Sequence, residues 1–300
     1  MKNLRFHCRS IILLSATLLA MSAPSSHSQQ VKGRLVIIGG GDRTSEIMQR
    51  IVALSGGAEK ARIIILPMAS SVPDTTAMEE AEEFKALGVR HVDWLLFNRE
   101  QAMSPGFPEK LNGATGIFFS GGDQARLTAV IVGTPVHQKL KDLYRDGTVM
   151  SGTSAGAAIM SKVMITGDEL INKDSTNIFN SIMKGNVKTI EGIGFIENVI
   201  IDQHFVKRKR LNRLISVVLE HPDLLGVGID ESTAIQVNPD RTFEVLGEGT
   251  VVVVDARKAK TIHTDKNQNL AGRDIEMQIL SAGERWSMDA GKETPHTGKR

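Results

Sequence analysis

The sequence predicts an α/β fold in which helices cover both faces of a mainly parallel sheet. From Arg34 to about Ala256, short apolar runs alternate with segments that have helical spacing. The runs are apolar at nearly every position, which indicates strands that are buried on both faces. Buried strands that alternate with helices are typical of a parallel sheet sandwiched between helical layers.

The first half of the chain carries most of this pattern. Apolar runs predict strands at 35–40, 61–70, 91–97, 116–122 and 148–154. Segments with helical spacing, or rich in Ala and Glu, predict helices at 46–54, 75–87 and 136–144. Several of the strands end in glycine, as expected where a chain turns from a strand into a helix.

The pattern changes in the second half. Residues 164–194 are polar and irregular, which indicates a long active-site loop or a hairpin. A strand at 195–205 is followed by a helix over 206–220 that ends near Pro222. Three more apolar runs predict strands that finish the same sheet with antiparallel pairing, and they lie at 224–230, 232–237 and 249–255.

The predicted domain organisation is simple. We find no internal repeat and no linker, so residues 29–284 are predicted to form a single α/β domain. Residues 285–300 are polar and contain Gly and Pro, which predicts a disordered tail.

Residues 1–28 have the features of a secretory signal peptide. Lys2, Arg5 and Arg9 give positive charge before the apolar stretch 11–20, and small polar residues lead to cleavage after Ser28. A membrane anchor is the alternative, but the stretch is shorter than the roughly 20 residues that a bilayer requires. We therefore expect a secreted or periplasmic protein that has no membrane contact after cleavage.

Removal of residues 1–28 changes the net charge of the chain, and with it the partners that its composition suggests. The chain has 36 Lys and Arg against 34 Asp and Glu, and the segment holds three of the basic residues and none of the acidic ones, so a net charge of −1 remains. This balance gives no reason to expect a nucleic-acid partner. Aromatic residues make up 4% of the chain, which is few for stacking on bases or sugars. Cys8 is the only cysteine and leaves with the segment, so no thiolate or disulfide remains.

The motif Gly152-Thr153-Ser154-Ala155-Gly156 is the strongest local signal. It follows a predicted strand and precedes residues that can start a helix, which is the setting of a nucleophile elbow. The sharp turn would present the Ser154 hydroxyl, and the Ala155 N–H at the helix start can stabilise an oxyanion. The alternative is a junction of small residues that only packs tightly.

Two glycine-rich strand ends accompany this motif. In the SGGDQ segment, 120–124, Gly122 can supply a second oxyanion N–H and Gln124 can hold a polar substrate group. The alternative is a plain strand-to-helix turn. The GGGD segment, 39–42, resembles a dinucleotide fingerprint but lacks its spacing, so we interpret it as a simple turn.

A serine nucleophile needs a base, and His204 is the best candidate among the six histidines that remain after cleavage. It lies at a predicted strand end beside the polar residues Asp202 and Gln203. The alternative is a structural histidine. An orienting carboxylate is also needed, and Asp230 and Glu231 are the two candidates because they end the next apolar run.

The chain order and the missing cysteine argue against two other hydrolase classes. In α/β-hydrolases the acid lies between serine and histidine, whereas here the order is Ser154, His204, Glu231. A glutamine amidotransferase proper uses cysteine, which the cleaved chain lacks.

A basic segment, 207–210, follows the predicted base, and Arg213 comes soon after. A solvated helix face is the ordinary explanation of such a segment. Arg210 and Arg213 nevertheless share one face of the predicted helix. Guanidinium groups there would bind a substrate carboxylate through paired hydrogen bonds.

Four blocks together resemble cyanophycinases, which belong to a serine peptidase family that also contains aspartyl dipeptidase. The blocks are SGGDQ at 120–124, GTSAGA at 152–157, DQHFVKRKRLNRL at 202–214 and GIDEST at 228–233. The likeness covers 34–256, and the DQHF block with its spaced arginines is its most specific part.

The resemblance implies a flavodoxin-like three-layer sandwich, related to class I glutamine amidotransferases and usually dimeric, with no metal and no organic cofactor. It implies Ser154 as nucleophile, His204 as base and Glu231 as the third catalytic residue. The family's pocket residues correspond here to Gln124, Asp202, Gln203, Arg210 and Arg213. In this interpretation Asp202 and Gln203 meet the substrate's guanidinium and amide, and the two arginines meet its carboxylates.

The resemblance also implies a substrate. Cyanophycinases cleave cyanophycin, a polyaspartate that carries arginine on each β-carboxyl, and release β-aspartyl-arginine dipeptides. An export signal fits scavenging of polymer released by other cells. Two alternatives stay open at this stage: an exported aspartyl or isoaspartyl dipeptidase, and a non-catalytic binding protein on the same scaffold.

Overall fold

The structure is a computed structural model that describes residues 31–171 and 179–290, so the predicted signal peptide lies outside the described residues. Five strands run parallel in the central sheet, in the order β1-β5-β4-β2-β3. They are β1 (Leu35–Ile38), β2 (Arg62–Leu66), β3 (His91–Trp94), β4 (Gly116–Phe119) and β5 (Val149–Thr153). Each lies inside one of the predicted strand ranges, and the mainly parallel sheet is confirmed.

The strand β1 shows why these runs are apolar at every position. Leu35 and Ile37 face one hydrophobic core, whereas Val36 and Ile38 face the other. All four side chains have no exposed surface. Because successive side chains of a strand point to opposite faces, a sheet that is covered on both sides needs apolar residues throughout.

Helices cover both faces of this sheet. On one face lie α1 (Ser45–Leu54) and α2 (Pro73–Ala86). On the other face lie α3 (Arg99–Met103), a 3₁₀ helix (Phe107–Leu111), α4 (Gln124–Ile131), α5 (Pro135–Asp146) and the single turn α6 (Ala155–Ala158). The resulting α/β/α arrangement agrees with the expected flavodoxin-like, three-layer fold.

The helix α5 shows how the sequence sets helix ends. The Thr134 side chain accepts a hydrogen bond from the His137 N–H at 3.3 Å, and Pro135 occupies the first turn. Gly147 ends the helix at φ +123°, a backbone conformation that other residues rarely adopt. A capping side chain, an early proline and a terminal glycine are the usual signals of helix boundaries.

Three antiparallel strands extend the central sheet beyond β1. They are β10 (Thr233–Val237), β11 (Thr242–Gly247) and β16 (Arg285–Ser287). The prediction of an antiparallel strand at 232–237 is confirmed. The tail predicted to begin at residue 285 is wrong in its first residues, because β16 pairs with β11 and Trp286 packs against Phe243. Residues 291–300 lie outside the described part of the chain.

A second sheet has the order β15-β12-β9-β8. Its strands are β8 (Val199–Gln203), β9 (Leu225–Ile229), β12 (Val251–Asp255) and β15 (Glu276–Leu280). The prediction that runs 224–230 and 249–255 finish the central sheet is therefore wrong. An apolar run reports that a strand is buried, and it carries no information about which sheet the strand joins.

The helix α7 (Leu211–Glu220) packs on the outer face of the second sheet. It begins later than the predicted 206–220, because the residues after His204 form tight turns with Lys209 at φ +54°. The Asp230 carboxylate accepts hydrogen bonds from the N–H groups of Val206 and Lys207 at 3.1 and 2.9 Å. These bonds satisfy the backbone of the turn and delay the helix.

Two hairpins complete the described chain. The strands β6 (Val163–Glu169) and β7 (Val187–Glu191) pair antiparallel, so the hairpin alternative for 164–194 is confirmed outside residues 172–178, which the structure does not describe. The strands β13 (Thr261–Thr264) and β14 (Leu270–Arg273) form the other hairpin. Within the two described ranges, no helix is long and apolar enough to cross a bilayer.

Candidate active site

Ser154 lies at the carboxyl end of β5, directly before α6. Its backbone has φ +52° and ψ −106°, a strained conformation for a residue with a side chain. Such strain costs on the order of 1–3 kcal/mol and persists only where surrounding contacts impose it. Here the Ser154 N–H donates to the Ile38 carbonyl at 3.0 Å, which holds the turn against β1.

The glycines on either side of Ser154 are required by close packing. A Cβ added to Gly156 would lie 2.2 Å from the Phe119 carbonyl oxygen, and one added to Gly152 would lie 2.6 Å from the Gly156 oxygen. No side chain fits at these distances. The small residues therefore let the strand, the turn and the neighbouring β4 approach closely enough to form a nucleophile elbow.

Three side chains form a continuous hydrogen-bonded chain. Ser154 Oγ lies 2.8 Å from His204 Nε2. On the other side of the ring, His204 Nδ1 lies 2.6 Å from Glu231 Oε1. A hydroxyl, an imidazole and a carboxylate in this arrangement have the geometry of a catalytic triad.

The local backbone aims His204 at the serine. His204 directly follows β8 with φ +49°, and its N–H donates to the Gly39 carbonyl at 2.7 Å. Of the two candidate carboxylates, Glu231 meets the ring, whereas Asp230 binds the backbone of the turn after His204. The structure thus decides an alternative that the sequence left open.

The GGGD loop after β1 is part of this site, although its sequence indicated only a simple turn. A Cβ added to Gly40 would lie 2.3 Å from His204 Cε1, and one added to Gly41 would lie 2.8 Å from Glu231 Cβ. Gly40 has φ +106°, and its carbonyl accepts the Ser232 N–H at 2.8 Å. The loop therefore packs against the base and its carboxylate. The run of three glycines at a strand end was the available signal.

The surroundings of His204 favour the neutral imidazole. Burial lowers its pKa below the ordinary value, and the hydrogen bond to Glu231 opposes that shift only in part, while the charges of Arg208 and Arg210 lower the pKa further. At neutral pH the ring therefore holds one proton. With that proton on Nδ1 facing Glu231, Nε2 can accept the proton of Ser154.

The predicted oxyanion donors lie beside the serine. Ala155 begins α6, and Gly121 is close enough that its added Cβ would lie 3.5 Å from Ser154 Cβ. The next residue, Gly122, packs against the Ala69 carbonyl with φ +133°. Across residues 31–171 and 179–290, neither the Ala155 nor the Gly122 N–H donates to a protein acceptor. The oxyanion role of these two groups remains a prediction.

Asp202 and Arg213 pair with each other. Arg213 Nε donates to Asp202 Oδ2 at 2.8 Å, and its Nη2 donates to Oδ1. Their side chains are 0% and 2% exposed, and the Arg213 guanidinium also lies 5.6 Å from the centre of the Phe179 ring. In the structure these two side chains are buried and bind each other, and the contact of either with substrate stays a prediction.

Arg210 and Gln203 form a second pair. Arg210 Nη1 donates to the backbone oxygen of Gln203 at 2.6 Å and to its Oε1 at 2.8 Å. Arg210 precedes α7, so the predicted shared helix face with Arg213 does not form. Burial lowers the pKa of Arg210 to about 10, and the group stays charged at neutral pH. Its side chain keeps 12% exposure, which leaves it the more accessible of the two arginines.

Gln124 has a different neighbour from the one its sequence suggested. Its Nε2 donates to the carbonyls of Ile165 and Thr166 at 3.0 and 2.6 Å. The side chain is buried and fastens the start of α4 to the hairpin strand β6. Any contact of Gln124 with a substrate would have to use its Oε1 atom.

The described residues contain no cluster of His, Cys, Asp and Glu that is suited to bind a metal ion. A strained serine at a strand-to-helix turn, a neutral imidazole and an orienting carboxylate on an α/β/α sandwich define a serine hydrolase.

The comparisons with known proteins narrow this class. Residues 35–245 match the model of peptidase family S51, and the chain belongs to this family of serine peptidases.

Its similarity to cyanophycinases extends over most of the chain. It is 37% identical to the cyanophycinase of Synechococcus elongatus over 86% of this chain and 80% of that protein. It is 35% identical to the cyanophycinase of Nostoc sp. over 92% and 91%. The expected resemblance is confirmed. A crystal structure of a peptidase from an acI-B1 Actinobacterium shares the fold, with a TM-score of 0.57 and 24% identity over 86% of this chain and 98% of that one.

Proposed function

We propose that this protein is a secreted serine-type exopeptidase that hydrolyses cyanophycin to β-aspartyl-arginine dipeptides through an acyl-enzyme on Ser154. The observation that carries this proposal is the hydrogen-bonded chain Ser154–His204–Glu231 in a protein related to cyanophycinases. The similarity to cyanophycinases supports the substrate class, and the geometry of the triad supports the mechanism.

In the first half of the reaction, Ser154 Oγ attacks the carbonyl carbon of an aspartyl peptide bond. Its proton passes to His204 Nε2, which lies 2.8 Å away. The N–H groups of Ala155 and Gly122 bind the oxyanion that forms. His204 then gives the proton to the leaving amine, the C–N bond breaks, and an ester on Ser154 remains.

In the second half, water attacks the ester and loses a proton to His204. The proton returns to Ser154 Oγ as the C–O bond breaks and the product leaves. Glu231 accepts the hydrogen bond from Nδ1 throughout and stabilises the imidazolium that forms twice.

The positive charges around the triad suit the free carboxylates of the arginine residues that cyanophycin carries. Lys207, Arg208 and Lys209 are exposed in the turn after His204, and the next residue, Arg210, is largely buried. In this proposal Arg210 binds a substrate carboxylate, and Gln203 sets its orientation. The buried Asp202–Arg213 pair supports the end of β8 from below.

Product analysis tests the proposal. The protein without residues 1–28 is incubated with cyanophycin, and soluble products are identified by mass spectrometry. We expect β-aspartyl-arginine from the wild type and from Ser71→Ala, a substitution of an exposed serine, and none from Ser154→Ala. Intact polymer after incubation with active protein would overturn the substrate assignment.

An exported aspartyl or isoaspartyl dipeptidase is the alternative enzyme. It differs from a cyanophycinase in the length of the substrate that it cleaves. Cleavage of short aspartyl peptides but not of polymer would favour it. A non-catalytic binding protein is the alternative from another class. It predicts that Ser154 does not react with a fluorophosphonate, a covalent probe of activated serines.

Export and assembly are further parts of the proposal. The basic residues, apolar stretch and small polar residues of 1–28 support secretion. Fractionation of a producing bacterium, with mass spectrometry of the mature N-terminus, tests it; intact protein retained in the cytoplasm would contradict it. Homodimerisation rests on the resemblance, and sedimentation velocity tests it.

A further inference from the structure

A buried carboxylate lies close to the triad without belonging to it. Glu80, on α2, has a side chain that is 3% exposed. Its Oε2 accepts a hydrogen bond from Ser120 Oγ at 2.5 Å, and its Oε1 lies 3.8 Å from Arg43 Nη1. Ser120 is itself fully buried. One carboxylate thus joins a hydroxyl and a guanidinium that come from two different strand ends.

These partners adjoin the two glycine loops that flank the catalytic residues. Arg43 follows the first loop, residues 39–42, in which Gly40 packs on the His204 ring. Ser120 precedes the second loop, residues 121–123, in which Gly121 lies beside Ser154. Glycine loops have few side-chain contacts that fix them, so a buried anchor at one end of each loop limits how far it can move.

We propose that Glu80 is a positioning residue for the hydrolysis, and that its carboxylate holds the first and second glycine loops in register around Ser154 and His204. This inference rests on the triad mechanism proposed above. Glu80 acts through Ser120 and Arg43, and it touches neither the substrate nor the reacting atoms.

The environment of Glu80 disfavours the charged form of its side chain. Burial is the main cause that raises its pKa to about 7; Glu83 and Glu79 act in the same direction, while Ser120 and Arg43 oppose the shift. A group whose folded-state pKa is raised makes the fold less stable as the pH rises above the unfolded-state value. Ionisation of Glu80 is therefore disfavoured in the folded protein, and the contacts to Ser120 and Arg43 are what offset that cost.

The test uses the rate at which a fluorophosphonate labels Ser154 in the whole protein. This rate depends on the nucleophile and the oxyanion site, and it does not depend on the identity of the natural substrate. Ser120→Ala removes one arm of the anchor, and Glu80→Gln removes one of the two carboxylate charges near Arg43, whose other partner is Glu83. We expect each variant to label about tenfold more slowly, because small displacements of reacting groups are costly. Glu80→Gln should melt at the same temperature as the wild type or higher.

A double-mutant cycle and a control complete the experiment. If both residues act through one anchor, Ser120→Ala and Glu80→Gln together should slow labelling by less than the product of their single effects. Glu82→Gln, an exposed residue on the same helix, should leave the rate unchanged. Lower melting temperatures with wild-type labelling rates would overturn the proposal in favour of a purely structural role. If the variants label slowly but the wild type does not cleave cyanophycin, the role of Glu80 is supported and only the proposed substrate is rejected.

Discussion

Gly40 lies against the imidazole of His204, and the space between them excludes even a methyl group. A Cβ on Gly40 would be 2.3 Å from His204 Cε1 and 2.5 Å from Nε2. The loop after the first strand therefore forms one wall of the base's pocket. This contact restrains the ring. It joins two segments that are distant in the chain, because the loop follows β1 and His204 follows β8, and these strands belong to different sheets.

We expect Gly40→Ala to lower kcat/KM by at least about 100-fold. The added methyl group would push the His204 ring out of its hydrogen-bonding position with Ser154. Gly57→Ala is the matched control, since Gly57 also has a positive φ, +81°, but its Cβ would meet nothing within 4 Å. Both variants should lose about 1 kcal/mol of stability from the backbone strain. Steady-state kinetics and urea unfolding separate the two effects, and equal activity in both variants would contradict the contact.

Glu231 is expected to matter through the orientation and charge of His204. Glu231→Gln should lower kcat by about 10²–10⁴-fold while the fold is retained, because the amide no longer stabilises the imidazolium. Glu248→Gln, an exposed residue nearby in the chain, should be neutral. Pre-steady-state measurement of acylation checks the prediction, and a loss confined to KM would speak against it.

The acid side of the pH profile should report His204. The base works only when neutral, so activity falls as the pH drops through its pKa, which burial and nearby charges hold below the ordinary value. Arg208 contributes a positive charge that favours the neutral ring. Arg208→Gln should therefore raise the pKa and move the acid limb of kcat/KM to higher pH. Lys266→Gln, an exposed residue remote in the chain, serves as the control, and a limb that stays in place would refute the assignment.

The buried Asp202–Arg213 pair makes a prediction about stability. Asp202→Asn leaves a guanidinium in the interior without its counter-charge, which should cost about 3–5 kcal/mol in the free energy of unfolding. Asp202→Asn combined with Arg213→Met removes both charges and should cost less than the single change. Urea denaturation at pH 7 measures both variants. A double variant less stable than Asp202→Asn would show that the pair is not held together by charge.

The strand runs of the first half were predictable because burial on both faces leaves a continuous apolar signature. The nucleophile was predictable because Gly152 and Gly156 flank it and the elbow needs close packing at those positions. The number of sheets was not predictable. The runs that form β9 and β12 are as apolar as those of the central sheet. The composition of a run does not indicate which distant strand it pairs with.

The pocket shows the same division. Asp202, Gln203, Arg210 and Arg213 were predicted to lie together, and they do, in two internal pairs. Their sequence gave no indication that Asp202 and Arg213 would satisfy each other. Which group neutralises a charge depends on distance in space and on exclusion of water, and both quantities appear only after α7 packs onto the second sheet.

By itself, the sequence determined the α/β class, the strained turn at Ser154 and the strand end that carries His204, because each depends on residues adjacent in the chain. Only the tertiary structure decided that Glu231 rather than Asp230 faces the His204 ring and that Gly40 packs against this ring. It also decided that Glu80 contacts residues next to both glycine loops. These relationships join segments far apart in the chain. They exist because packing of apolar surfaces brings the segments within hydrogen-bonding distance, where a buried polar group must find its partner.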